Sequence, residues 1–157
     1  MVSNCGPDIC SICKLAPQNA DTRFNVQEFI AVARSIAKGL DSLHSQQGVF
    51  LDVRAANICW RTNTARDKAV MVDMSTCGKE GCKPTIMLKD WEAGGTNCTL
   101  SPDGCYTKAS DMRQFSVMLH TLCSGQQWSS NCTAFCDELA AGRHTAAQAL
   151  RHQYLQL

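Results

Sequence analysis

The chain has 157 residues and a net charge of +1, from 15 Lys and Arg against 14 Asp and Glu, without the basic excess of a dedicated nucleic-acid binder. Its 45% hydrophobic and 18% charged residues exclude wholesale disorder. The length suits one domain, and no stretch approaches the roughly 18 apolar residues of a membrane span.

Residues 1–24 are expected to form an irregular N-terminal segment, with Pro7, Pro17 and Cys5, Cys10 and Cys13 but no apolar run. That is not the pattern of a secretory signal, so a cytoplasmic protein with reduced thiols is expected. The sequons at Asn97 and Asn131 then count as chance matches. Residues 25–157 are expected to form one folded unit. Asn25 with Glu28 three residues on is a capping-box pattern. Val26, Phe29, Ile30, Ala33, Ile36, Ala37, Leu40 and Leu43 then recur at spacings of three and four, which predicts an amphipathic helix ending near His44.

Val49-Phe50-Leu51 is a short apolar run ending at Asp52, and residues 57–60 and 69–72 are two strand-like pieces joined by a polar turn, a hairpin pattern. Residues 75–105 show no period, and so long a loop suggests function. A second helix is predicted over 108–123 with Met112, Phe115, Leu119 and Leu122 as its stripe, and further helices over 132–141 and 145–155, the last capped by Thr145. His44, His120, His144 and His152 fall on helices or at their ends and read as caps or surface groups. The three Trp read as core or groove residues.

Taken singly, Asp52, Asn57 and Asp73 are ordinary strand-end residues. Together they differ: the hairpin would return Asp73 beside Asn57, where two side-chain oxygens can share a hard cation such as magnesium. Asp52, just before them, is placed to accept a proton from a hydroxyl. Phosphoryl transfer needs these parts: a positioned nucleophile and charge neutralisation by metal.

The order of these pieces resembles the C-terminal lobe of the eukaryotic protein-kinase fold. The residues that carry the likeness are 36–44 (IAKGLDSLH), Asp52-Val53-Arg54-Ala55-Ala56-Asn57, Val70-Met71-Val72-Asp73-Met74-Ser75, Ser101-Pro102-Asp103, the helix opening at Ser110-Asp111, and Arg143 with residues 144–152. The resemblance covers about residues 25–155. It implies a mainly α, α+β fold with a short β-hairpin at the catalytic loop. It also implies Asp52 as catalytic base, Arg54 as a phosphate-holding cation, Asn57 and Asp73 as magnesium ligands that hold ATP, Asp111 as a brace of the catalytic loop, and an Arg143–Asp103 pair. The Asp-x-Arg-Ala-Ala-Asn string resembles some tyrosine kinases, and the acceptor residue stays open.

Departures shape the expected function. Phe50 and Leu51 stand where the family has His-Arg, and Met74-Ser75 where it has Phe-Gly. No glycine-rich phosphate loop or lysine-bearing strand precedes the first helix, so the family's N-terminal lobe is expected to be missing. The leading expectation is a degenerate, truncated protein-kinase-like phosphotransferase domain acting on a protein hydroxyl. Its activity alone would be near background, and it would need a lobe from a longer chain or a partner. The alternative is a pseudokinase scaffold binding a protein partner, with no nucleic acid or membrane involved. A third reading is a cysteine-rich metal module. Cys5, Cys10 and Cys13 with Cys77 and Cys82 have partial zinc spacing, but a closed site needs four ligands, so structural zinc is not expected. Disulfides at Cys77–Cys82 or Cys132–Cys136 are alternatives to reduced thiols, and Cys59 and Cys123 read as small core hydrophobes.

Overall fold

The computed structural model describes residues 25–61, 66–83, 100–123 and 130–156. In chain order its regular elements are α1 (Val26–Ser45), β1 (Gly48–Val49), β2 (Ile58–Trp60), β3 (Ala69–Met71), β4 (Gly78–Lys79), α2 (Lys108–Cys123), α3 (Ser130–Ala140) and α4 (Ala146–Arg151). Short 3-10 turns cover Ala55–Asn57, Met74–Thr76 and Gln153–Gln156. The architecture is mostly helical with two small antiparallel strand pairs. Among the described residues, no helix is long and apolar enough to cross a membrane.

α1 begins where the sequence pattern places it. Asn25 Oδ1 accepts from the Glu28 amide at 2.8 Å, and Glu28 Oε2 accepts from the Asn25 amide at 3.1 Å. Such a cap contributes about 1 kcal/mol. The helix buries Phe29, Ile30, Val32, Ala33, Ile36, Ala37 and Leu40. Val26, counted in the stripe, is exposed, while Val32, outside it, is fully buried. The reason is that α1 has neighbours on several sides (α4, β3, β1 and α2), so its buried arc is wider than one stripe.

The main core joins these faces. Phe29, Ile36 and Leu40 of α1 meet Phe115 and Leu119 of α2, Phe135 and Leu139 of α3, and Tyr154 and Leu155 beyond α4. Each such side chain contributes about 1.5–3 kcal/mol over the exposed state. Tyr154 packs edge-on to Phe29, with ring centroids 6.2 Å apart. Arg34 closes the seam by donating to the Leu155 carbonyl, from Nε at 3.0 Å and from its Nη2.

Three differences from the sequence reading have local causes. The helix expected over 145–155 breaks at His152, whose backbone is extended (φ −63°, ψ 135°). That break turns Tyr154 and Leu155 into the core. The stretch read as aperiodic contains β4, which pairs Gly78 with Val49 and Lys79 with Gly48. Its partner lies thirty residues away, and no local pattern announces such a pair. α3 starts at Ser130 and ends in a left-handed Gly142 (φ 68°). There Arg143 N donates to Glu138 O and Gly142 N to Leu139 O, the Schellman pattern that only glycine adopts without a Cβ penalty.

Candidate functional site

Residues 50–57 form a buried loop between β1 and β2. Phe50, Leu51, Asp52, Val53 and Asn57 are all buried, while Arg54 is exposed. A buried loop must find partners for its backbone polar groups. Here they come from one face of α2. Asp111, fully buried, accepts from Phe50 N at 2.8 Å through Oδ2 and from Leu51 N at 3.0 Å through Oδ1. Gln114, one turn on, accepts from Val53 N at 2.8 Å. Its Nε2 donates to Leu51 O at 3.4 Å. These bonds hold Leu51 in the left-handed region (φ 71°), a conformation that costs an L-residue about 1–2 kcal/mol.

His44 corrects the sequence reading. It is a buried residue, 8% exposed, and its Nε2 lies 2.9 Å from Asp111 Oδ2. Its position at the end of the α1 stripe, four residues after Leu40, was the signal that it faces inward. Gln114 was missed altogether. Its spacing of three from Asp111 puts both side chains on one helix face, which is the signal that finds it.

The acidic and amide groups are arranged in two ways. Asn57 Nδ2 donates to Asp52 Oδ2 at 2.7 Å and to Asp52 O at 3.0 Å. Arg54 Nε reaches the same Asp52 oxygen at 3.1 Å. β2 and β3 are antiparallel, with Ile58 opposite Met71 and Trp60 opposite Ala69. The ladder runs on to Val72 N, which donates to Asn57 O at 2.8 Å. Asp73 therefore follows directly on the residue paired with Asn57. It is exposed, left-handed (φ 59°, ψ 66°), and accepts from Ser75 Oγ at 2.5 Å. With Asn57 Nδ2 committed to Asp52, the Asn57 amide oxygen is the atom that a cation would take. Asp73 would offer a carboxylate oxygen.

Cys77 lies beside this region. Burial, and after it the charges of Asp111 and Asp73, push its thiol above the ordinary cysteine range, so it stays protonated. It is a free thiol, as are Cys82, Cys132 and Cys136. Cys5, Cys10 and Cys13 lie outside the described residues. Of the aromatic residues, Trp60 is a core residue, 1% exposed; Trp91 and Trp128 lie outside the described residues.

Asp103 and Arg143 are not brought together. Asp103 accepts from Ser101 Oγ at 2.6 Å, which holds its carboxyl below the usual range. Among the described residues no ion pair joins it to Arg143, whose charge acts on Glu138. The Ser101-Pro102-Asp103 segment closes its own turn, with Ser101 N donating to Cys105 O at 2.9 Å and Cys105 N to Ser101 Oγ at 3.0 Å. That turn uses up the Asp103 side chain locally.

A second polar cluster lies at the end of α3. His144 Nε2 is 2.7 Å and His152 Nε2 3.4 Å from Glu138 Oε2. His152 Nδ1 accepts from the Tyr154 amide at 3.2 Å. With Nδ1 accepting, the ring turns Nε2 toward Glu138. The cluster is a hydrogen-bonded carboxylate in a shallow pocket of about 190 Å³. A cavity of about 620 Å³ lies between α1 and β3, lined by Arg34, Lys38, Arg61 and Lys68 among others, and none of Asp52, Asn57 or Asp73 lines it.

No family model matches the chain, and no curated protein does. Solved structures do match. One of them, described as titin kinase and its flanking domains, superposes with a TM-score of 0.74 at 18% sequence identity. The match covers 96% of this chain and 32% of that one, so this chain spans about a third of the matched protein. The fold is kinase-like. At that identity the likeness speaks for the fold alone.

Proposed function

We propose that this chain is the lower lobe of a protein-kinase-like phosphotransferase, with Asp52, Asn57 and Asp73 as its reacting set. Asp52 accepts the proton of a protein hydroxyl. Asn57 and Asp73 hold magnesium, which neutralises the ATP phosphates. A second lobe, on a longer chain or a partner, grips the nucleotide from above. The chain alone transfers phosphate at or near background.

One observation supports this reading above the others. The Asp52 carboxylate and Asn57 amide are hydrogen-bonded to each other in a loop whose backbone is held by Asp111, and the strand ladder sets Asp73 next to Asn57. An isolated strand-end Asp needs no such support. Positioning of this kind is what phosphoryl transfer asks of a protein.

The test is a thermal-shift titration of the full chain with ATP and magnesium. The expected result is an upward shift that requires magnesium and is lost in Asp73→Asn. No shift at any concentration overturns the nucleotide-binding reading. In the presence of a complementing lobe, Asp52→Asn should lower transfer about 10²–10⁴-fold, the usual contribution of a general base.

A second reading, a scaffold without chemistry, is favoured by one contact. Arg54 Nε and Asn57 Nδ2 converge on the same Asp52 oxygen, so an incoming hydroxyl must compete with two donors already in place. Under that reading the thermal shift is absent, and a protein ligand binds the Asp73–Met74 surface, where Met74 is 53% exposed.

A further inference from the structure

Three cysteines, of which the sequence linked only Cys132 and Cys136, converge in the structure. Cys123 is the last residue of α2, and Cys132 and Cys136 lie one turn apart on α3. Their sulfurs all lie within 4.8 Å of one another, and Cys123 Sγ is 3.3 Å from Cys132 Sγ. Cys132 and Cys136 are buried and Cys123 is partly open. The sequence spacing pointed instead to Cys5, Cys10, Cys13, Cys77 and Cys82.

We propose that Cys123, Cys132 and Cys136 form a three-sulfur site for a thiophilic metal ion, of the class of zinc(II) or copper(I). The geometry is close to what such an ion needs. Three sulfurs at about 2.3 Å from a tetrahedral zinc lie about 3.8 Å apart, between the 3.3 Å contact and the 4.8 Å limit seen here. Sulfur-only donors select soft ions over magnesium or calcium. A disulfide uses two of the three thiols and strands the third, whereas a metal uses all of them. Cys132 and Cys136 sit four residues apart on one helix face, the spacing that lets one helix present two ligands.

An independent observation points into the same place. Tyr154 is 2% exposed, and its buried hydroxyl has no oxygen or nitrogen partner among the described residues. It faces the Cys132 sulfur. A thiol sulfur is only a weak acceptor for such a hydroxyl. A metal-bound thiolate is a strong acceptor, and Tyr154 would orient it as an outer-shell donor. Cys136 Cβ–Sγ and the Ser116 hydroxyl belong to the same seam: Ser116 Oγ donates to Cys136 O at 3.1 Å, fixing the α3 turn that carries the sulfur.

The test uses the full chain, reduced and stripped of metal, with Cys5, Cys10 and Cys13 replaced by Ser to remove competing thiols. Cobalt(II), as a spectroscopic stand-in for zinc, is titrated in one arm and buffered copper(I) in the other. The expected result is one equivalent bound in at least one arm, with a sulfur-to-metal charge-transfer band, displaced by zinc in the cobalt arm. Cys136→Ser should abolish it, Tyr154→Phe should weaken it about tenfold, and Cys59→Ser should leave it unchanged. If Cys136→Ser fails to fold, Cys123→Ser at the partly open helix end serves in its place. Absence of one-equivalent binding in both arms, or its survival in both Cys136→Ser and Cys123→Ser, overturns the proposal. So does a Cys123–Cys132 disulfide form that, once reduced to thiols by an added phosphine, takes up no metal in either arm.

Discussion

Two carboxylates in this molecule do similar chemistry in opposite surroundings. Asp111 takes His44 and two backbone amides inside the core, with no exposure at all. Glu138 takes His144 and His152 at the surface, with its side chain 33% exposed. The partners look alike, yet their worth differs. At Glu138, water and salt stand ready to replace each partner, so exposed pairs are worth little. At Asp111, nothing replaces the lost acceptor, and the two amides it serves lie in the loop that carries Asp52 and Asn57.

The strongest way to break that comparison is Asp111→Ala. It strands the Phe50 and Leu51 amides and the His44 ring in the core. A loss of about 3–5 kcal/mol is expected, the usual result of removing one partner from a buried charged network. In a chain of this size that is a fall in melting temperature of roughly 6–20 °C. A stability within 1 kcal/mol of the parent, by urea denaturation, would show that the loop does not lean on α2.

Gln114→Leu sharpens the same side. The volume is kept, while the Val53 amide loses its acceptor and the Leu51 carbonyl its long contact to Gln114 Nε2, so about 1–3 kcal/mol should be lost. On the exposed side, Thr145→Ala removes the α4 cap, in which Thr145 Oγ1 accepts from Gln148 N. About 1 kcal/mol is expected there, read by the same denaturation curve.

Glu138→Gln should show the smallest effect, and its signature is in the pH profile. The His144 hydrogen bond, with help from the charges of His152, His144 and Arg143, holds the Glu138 carboxyl below its ordinary value of 4.5. A carboxyl lowered by folding adds stability that is present above that value and lost as pH falls through the folded one. Stability of the parent should therefore drop more steeply below pH 4.5 than that of Glu138→Gln, and the two should converge in slope near neutrality. Identical slopes throughout would mean that the cluster has no linkage to folding.

Local features were legible in the sequence and long-range polar ones were not. The capping box at Asn25, the cap at Thr145 and the bounds of α2 follow from residue types a few positions apart, where propensity and periodicity act. The pairing of Ile58–Trp60 with Ala69–Met71 follows from two apolar runs around a polar turn. The β1–β4 pair, the Gln114 bond to Val53 and the Cys123–Cys132–Cys136 cluster depend on which helix faces which. That choice is made by the whole core and leaves no local mark. His44 shows the boundary between the two cases. Its place four residues after Leu40 said inward, while its residue type said surface, and the buried partner Asp111 decided it.

The brace on residues 50–57 also bears on the order in which the chain becomes structured. Phe50 and Leu51 find their acceptor 61 and 60 residues downstream. α1 can wind from its own capping box and stripe as soon as it is made, but the loop has no nearby acceptor that would hold Leu51 left-handed. Closing so long a segment carries an entropic cost that local turns avoid. Asp52 and Asn57 are thus expected to take up their positions after α2 has docked on α1. The groups proposed to react therefore depend on distant parts of the chain for their positions, and their geometry is a reading of whether the rest has folded correctly.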